Sequence, residues 1–128
     1  EPAEKGKRIA LARQRAGHVL GGFCGFYGSC GAAVGTGIFM SVMTDATPLS
    51  REEWRLSNLM TSQSLHTIAE AGGPRCCKRN SFLAIREALR FTKDRLGVDL
   101  SAVSDTTKCE FFHLNKECRK VECPFYPQ

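Results

Sequence analysis

Apolar residues recur at helical spacing through the first hundred positions of the chain. The first such series predicts an amphipathic helix over about residues 4–20, and its apolar positions are Ile9, Ala12, Ala16, Val19 and Leu20. From Ala32 to about Met43 the chain is apolar on every side of a helical projection, which is typical of a buried helix. That segment is too short to cross a membrane.

A third helix is predicted after Pro48. Ser50 and Glu53 match a capping box, in which the two residues satisfy free N–H groups at a helix start. The predicted helix carries Trp54, Met60, Leu65 and Ile68. The run Gly72-Gly73-Pro74 then ends the helix.

A fourth helix is predicted after the adjacent cysteines at 76 and 77. Asn80 is the expected N-cap, and Gly97 is the expected stop. Its predicted buried stripe is Phe82, Ile85, Leu89 and Leu96. No segment shows the alternation of a β-strand.

These patterns predict an all-α fold, a compact bundle of about four helices with an irregular, cysteine-bearing C-terminal tail. We expect a helical cysteine-loop domain over residues 1–103 and a metal-binding tail over residues 104–128, packed on the first domain. A chain of 128 residues with 42% hydrophobic and 24% charged residues can bury a core without disulfides. The net charge of +5 is modest, so the charged residues mainly indicate solvated faces.

Seven cysteines form three groups along the chain. These are Cys24 with Cys30, the pair Cys76 and Cys77, and the tail group Cys109, Cys118 and Cys123. An odd number argues against a closed disulfide framework, and adjacent cysteines bridge each other only under strain. Reduced thiols in a cytoplasmic compartment explain the pattern better than secretion.

The first two groups lie in glycine-framed loops that run into predicted helices. A helix start presents free N–H groups and the positive end of a dipole, which favour thiolate over thiol. The sequence therefore predicts a shared metal or iron–sulfur site. Arg75, Lys78 and Arg79, with Asn80, are candidates for contact with an anion or a substrate.

The tail cysteines are also predicted metal ligands. With His113 they would make a four-ligand zinc set of Cys109, His113, Cys118 and Cys123. Alternatively, the tail folds back and donates ligands to the main cluster. His18, just before the first glycine loop, is a further candidate ligand or base, with a packing role as the simpler interpretation.

The chain resembles a cysteine-rich domain family of methanogenic archaea and anaerobic bacteria that has no assigned activity. The shared phrases are Gly-Phe-Cys-Gly-Phe-Tyr-Gly-Ser-Cys-Gly-Ala-Ala-Val-Gly, Ala-Thr-Pro-Leu, and Gly-Gly-Pro-Arg-Cys-Cys-Lys-Arg-Asn. The tail cysteines are similar to those of that family as well, so the resemblance covers most of the chain.

A more local resemblance links the chain to iron–sulfur L-serine dehydratases. Their Cys-x-Gly-Glu-Val-Gly and Pro-Cys-x-x-Arg-Asn phrases are similar to the segments around Cys30 and Cys76 here. The resemblance implies that Cys30 and Cys76 bind a cluster and that Arg79 and Asn80 flank it. Two departures stand out: Ala33 replaces the acidic residue of the first phrase, and Leu65 lies where a further dehydratase cysteine would be expected.

The leading expectation is an iron–sulfur-cluster-binding domain with a [4Fe–4S] cofactor and a lyase-like or sulfur-handling activity in anaerobic metabolism. The alternative is a non-catalytic zinc-binding module that contacts protein or nucleic acid. A third interpretation is a metal-free thiol redox protein that uses Cys76 and Cys77. A small-molecule substrate and an upstream domain of a longer chain are the favoured partners, nucleic acid is the less favoured one, and we expect no membrane partner.

Overall fold

The computed structural model describes residues 1–100 and 107–128, and within these ranges the protein contains helices and no β-strand. The five helices are α1 (Pro2–Ala16), α2 (Phe23–Phe26), α3 (Gly31–Thr44), α4 (Glu52–Ala71) and α5 (Cys77–Leu96). Two short 3₁₀ turns, Phe112–Leu114 and Lys120–Glu122, lie in the tail. The predicted all-α fold with an irregular tail is confirmed. The predicted boundary between residues 103 and 104 lies outside the described residues.

Helix α3 is the centre of the bundle, packing against α1, α4 and α5, while α4 also packs against α5. The core divides into two clusters of buried residues. One lies near the start of α3 and comprises Ala33, Ile68, Leu83, Ala84 and the tail residue Phe125. The other lies toward the far end and comprises Met40, Leu56, Met60 and Phe91. The first cluster matters for function because Cys30, Cys109 and Cys123 pack against it.

Helix α1 differs from its prediction. It begins at Pro2 and ends at Ala16, four residues before the predicted end, and none of its residues is buried. Ile9 is 53% exposed and Leu20 is 65% exposed. The apolar residues of this segment do recur at helical spacing, but α1 packs only on the outer side of α3. Arg8 links the two helices by donating to the Val42 carbonyl and to the Asp45 carboxylate.

Both predicted N-caps are wrong. Helix α4 begins after Arg51 with no side-chain cap, and the Ser50 hydroxyl instead accepts a hydrogen bond from the Thr47 amide at 2.9 Å. Helix α5 begins three residues before the predicted cap, with Cys76 in the N-cap position. Asn80 lies inside its first turn and is buried. The predicted stops are confirmed, since Gly72 and Gly97 follow α4 and α5 with positive φ angles of 79° and 69°.

The buried face of α5 is rotated relative to the predicted stripe. Ile85 is 53% exposed and Leu96 is 38% exposed. The residues that are buried are Arg79, Asn80, Leu83, Ala84, Glu87, Phe91 and Thr92. This face mixes small and polar residues with large apolar ones, so a search for large apolar residues alone misplaces it.

The described helices include none with the length and apolarity that a bilayer span requires.

Candidate metal centre

Five of the seven cysteines line one cavity of about 330 Å³ between the start of α5 and the tail. They are Cys76, Cys77, Cys109, Cys118 and Cys123. The tail therefore returns to the helical body, and its three cysteines line the same cavity as the adjacent pair.

The helical side of the cavity is the N-terminus of α5. Cys76 is the N-cap residue in an extended conformation, and Cys77 is the first helical residue. No side chain caps this 20-residue helix. Its first-turn N–H groups and the positive end of its dipole therefore remain available to stabilise negative charge on nearby sulfur.

Two tail cysteines receive backbone hydrogen bonds of the same type. The Phe111 amide donates to Cys109 Sγ at 3.3 Å, and the Lys120 amide donates to Cys118 Sγ, also at 3.3 Å. In both cases the donor lies two residues after the cysteine. Hydrogen bonds to sulfur stabilise the thiolate form and tune a bound metal, so the two turns suit these sulfurs to ligation.

Phe125 anchors the end of the tail in the core. Its side chain is 2% exposed and its ring meets that of Phe82 edge-on at 5.1 Å. The Phe125 carbonyl accepts a hydrogen bond of 2.7 Å from the Cys109 amide, which joins the two ends of the tail. The Arg119 guanidinium also connects the tail to the helical body, because it donates a hydrogen bond to the Ala71 carbonyl at the end of α4.

The remaining cavity wall combines aromatic rings with cations. The aromatic residues are Phe82, Phe111, Phe112, Phe125 and Tyr126, and the cationic ones are Arg75, Lys78, Arg79 and Arg119. Lys78 Nζ lies 4.4 Å from the centre of the Phe111 ring, a cation–π contact that links α5 to the tail. No carboxylate is among the described residues that line this cavity. The wall therefore favours a negatively charged occupant.

A second cavity of about 410 Å³ adjoins the first and contains the other two cysteines, Cys24 and Cys30. It is formed by the glycine loop around α2, the end of α4 and the start of α5. Arg75 and Arg79 line both cavities. The two loops therefore lie near each other, but their cysteines line different cavities, and the predicted site shared by the two groups stays a prediction.

Cys30 lies at the N-terminus of α3, where Asn80 contacts its side chain. It is the N-cap of that helix, and the Asn80 side-chain amide donates to its Sγ at 3.6 Å. Arg79 is 3% exposed, and its Nη2 donates to the Gly72 and Pro74 carbonyls at 2.8 and 2.9 Å. Two buried atoms beside these contacts, Arg79 Nε and Asn80 Oδ1, have no hydrogen-bond partner.

The two candidate histidines are exposed, and neither is among the residues that line these cavities. The His113 ring stacks edge-on against Phe112 at 5.5 Å. In residues 1–100 and 107–128, no three His, Cys, Asp or Glu side chains are close enough together to hold one ion. The metal-ligand assignments from sequence stay predictions.

Sequence reasoning missed two features of the site: the division of the thiols between two cavities, and the part played by Arg119. Both follow from the contacts that hold the tail on the helical body, among them the buried Phe125 side chain and the Arg119 contact with the Ala71 carbonyl.

No curated protein and no solved structure shows significant similarity to the chain. A model of the family of unknown function DUF5714 matches residues 1–126, so the chain belongs to the DUF5714 family.

Proposed function

We propose that the cavity lined by five cysteines holds an iron–sulfur cluster. The observation that carries this proposal is the convergence of five thiols from two distant chain segments on one space. Thiolates are soft ligands, and a donor set made only of sulfur is typical of iron–sulfur clusters and of zinc. The candidate ligands are the three tail cysteines together with Cys76 or Cys77.

The size and lining of the cavity favour a cluster over a single ion. Its volume is about 330 Å³, and its five thiols are one more than a closed four-ligand zinc site uses. A closed zinc site surrounds one ion with four ligands and needs no such space. The aromatic side chains of the wall would lower the polarity around a cluster, which is one of the factors that set a cluster's potential.

The electrostatics of the cavity support the same proposal. A cluster held by three or four thiolates usually carries net negative charge. The uncapped N-terminus of α5, four cationic side chains and the two N–H···S hydrogen bonds would all stabilise that charge.

The number of ligands decides the chemistry that a bound cluster supplies. Four cysteines complete its coordination and suit electron transfer, whereas three leave one iron open as a Lewis acid for a lyase-like reaction or for sulfur handling. The residues of this chain would hold the cluster and balance its charge.

The direct test is the composition of protein purified without oxygen. We expect iron and acid-labile sulfide in equal amounts, with a broad visible absorption that bleaches on reduction. Cys118→Ser should remove most of the iron, while Cys24→Ser, in the neighbouring cavity, should retain it. Oxygen-free protein that contains neither iron nor sulfide would overturn the proposal.

A structural zinc site is the second candidate function, and the two N–H···S turns favour it as well, because they support any thiolate ligand. Under this alternative the protein contains about one zinc per chain and no sulfide, as expected for a closed four-ligand site. Zinc would then stabilise a module that contacts another macromolecule. His113→Ala should leave the zinc content unchanged, because that side chain lies outside the cavity lining.

A further inference from the structure

The positive charge of the protein is concentrated in two segments of the chain. Between Glu70 and Glu87 there are four Lys or Arg residues and no Asp or Glu, and residues 107–128 add four more against three carboxylates. The other ten Lys and Arg residues are matched by ten Asp and Glu residues, so the net charge of +5 belongs to these two segments. Both segments contribute residues to the five-cysteine cavity. The charge therefore gathers where the proposed cluster lies.

Five exposed cations of these segments line the cavity, contact its wall or adjoin a lining residue in sequence. We call them the basic face: Arg75, Lys78, Arg86, Lys116 and Lys120. The first two line the cavity, and the Arg86 guanidinium lies 4.7 Å from the centre of the Phe125 ring in its wall. The two lysines each follow a lining residue, Asn115 or Arg119. Such a surface attracts an acidic partner and speeds its encounter.

Exposed apolar residues lie among these cations. Phe111 and Leu114 line the cavity and are 44% and 73% exposed, and Val121, next to Lys120 in the chain, is 72% exposed. An apolar centre with a polar rim is typical of protein–protein interfaces. A nucleic acid fits less well, because the three tail carboxylates would repel a uniformly charged phosphate backbone. A protein can place its acidic residues opposite the cations alone.

We propose that the basic face docks an acidic electron-carrier protein, which exchanges single electrons with the proposed cluster. The reduced carrier loses one electron, the oxidised cluster gains it, and no bond forms or breaks. A small, charge-steered interface suits this partner, because redox complexes are transient and bury little surface. The electron transfer rests on the proposed function, whereas the docking depends only on the face itself.

Binding to an acidic flavodoxin tests the docking. The two proteins are mixed without oxygen, and the Kd is measured by calorimetry at low ionic strength and at about 0.15 M. We expect the Kd to rise about tenfold between the two conditions, because salt screens charges on exposed surfaces. A Kd that does not depend on salt would contradict docking through the cations.

Two double variants that each remove two positive charges locate the binding surface. Lys116→Gln/Lys120→Gln changes the basic face outside the cavity lining and should raise the Kd about tenfold, which corresponds to about 1.4 kcal/mol. Lys5→Gln/Lys7→Gln is the matched control on α1, beside the contact of Arg8 with the C-terminal end of α3. The control should leave the Kd unchanged. Equal weakening by both variants would reveal attraction by net charge alone and would refute the proposal.

Electron transfer is followed with the flavodoxin in its hydroquinone form. Passing one electron to this protein leaves the flavin semiquinone, whose colour differs from that of the other two flavin states. We expect the semiquinone to appear on mixing with iron-containing wild type, and about tenfold more slowly with Lys116→Gln/Lys120→Gln at low ionic strength. Flavodoxin that binds iron-containing protein without forming semiquinone would contradict an electron carrier as the partner.

The iron content, measured on the same samples, separates this inference from the proposed function. Iron-containing protein that does not bind flavodoxin would overturn the docking and leave the cluster standing. Binding by iron-free protein, weakened by Lys116→Gln/Lys120→Gln, would support the docking and overturn the cluster together with its electron transfer. Tighter binding of a single-stranded oligonucleotide than of flavodoxin would assign the basic face to nucleic acid and reject a protein partner.

Discussion

Gly37 on α3 packs directly against Thr61 on α4. A Cβ atom at position 37 would overlap the Thr61 hydroxyl and lie 3.2 Å from the Ser57 carbonyl oxygen. Gly37 is buried, so the absence of a side chain there sets how closely the two helices approach. That approach fixes α4 relative to α3, whose N-cap residue Cys30 lines the second cavity together with residues from the end of α4.

Gly37→Ala should therefore destabilise the protein although alanine is the better helix former. Overpacking at such a contact typically costs about 1–3 kcal/mol, against a gain of up to about 1 kcal/mol from helix propensity. Gly35→Ala is the matched control on the same helix, because a Cβ there meets nothing within 4 Å. Thermal unfolding should show a lower Tm for Gly37→Ala and an equal or higher Tm for Gly35→Ala. A rise in Tm for both variants would contradict the close packing.

Thr36 and Ser64 form a buried hydrogen bond of 2.9 Å across the same helix pair. Thr36 Oγ1 already donates to the Ala33 carbonyl at 2.7 Å, so the Ser64 hydroxyl must be the donor between the two. Thr36→Val leaves the fully buried Ser64 donor without this acceptor and should cost about 1–3 kcal/mol in the free energy of unfolding. Ser64→Ala should cost less, because Thr36 keeps its bond to Ala33.

The Thr36→Val/Ser64→Ala double variant completes the cycle. Its loss of unfolding free energy, measured by denaturant titration, should fall short of the sum of the two single losses by about 1 kcal/mol. Strict additivity would show that the two hydroxyls do not interact.

The helical fold was predictable because its signals are local. Glycines at 72 and 97 end α4 and α5 as expected, since each adopts the positive φ that other residues disfavour. The apolar run that becomes α3 was recognisable because it is apolar on all sides. Each of these signals can be read within one or two helical turns.

The site was only partly predictable because its decisive contacts are between distant residues. Asn80 has the side chain of a good N-cap, but it contacts Cys30, fifty positions earlier in the chain. Because Cys77 and Lys78 already begin the helix, Asn80 becomes part of the cavity wall. The grouping of the tail thiols with Cys76 and Cys77 follows from the burial of Phe125, which cysteine spacing does not encode.

Phe125→Ala should release the tail from the helical body. Removing a fully buried aromatic side chain typically costs about 3–5 kcal/mol, and the same change removes the ring contacts with Phe82 and the Arg86 guanidinium. Limited trypsin digestion should cut the variant faster in the tail, after Lys116 or Lys120. Val121→Ala, at a position that is 72% exposed, is the control and should behave like the wild type. Equal cleavage of both variants would show that Phe125 does not anchor the tail.

Metal removal should loosen the tail without unfolding the helices. The described tail residues contain only two 3₁₀ turns, whereas the helices between Pro2 and Leu96 pack around two core clusters that include a single tail residue. After anaerobic chelation we expect the far-UV circular dichroism of the helices to remain while tryptic cleavage in the tail increases. Cys24→Ser, which should retain the metal, serves as the control and should respond to chelation as the wild type does. Loss of the helical signal would contradict this prediction, because it would mean that the metal holds the whole bundle together and not only its cysteine-bearing tail.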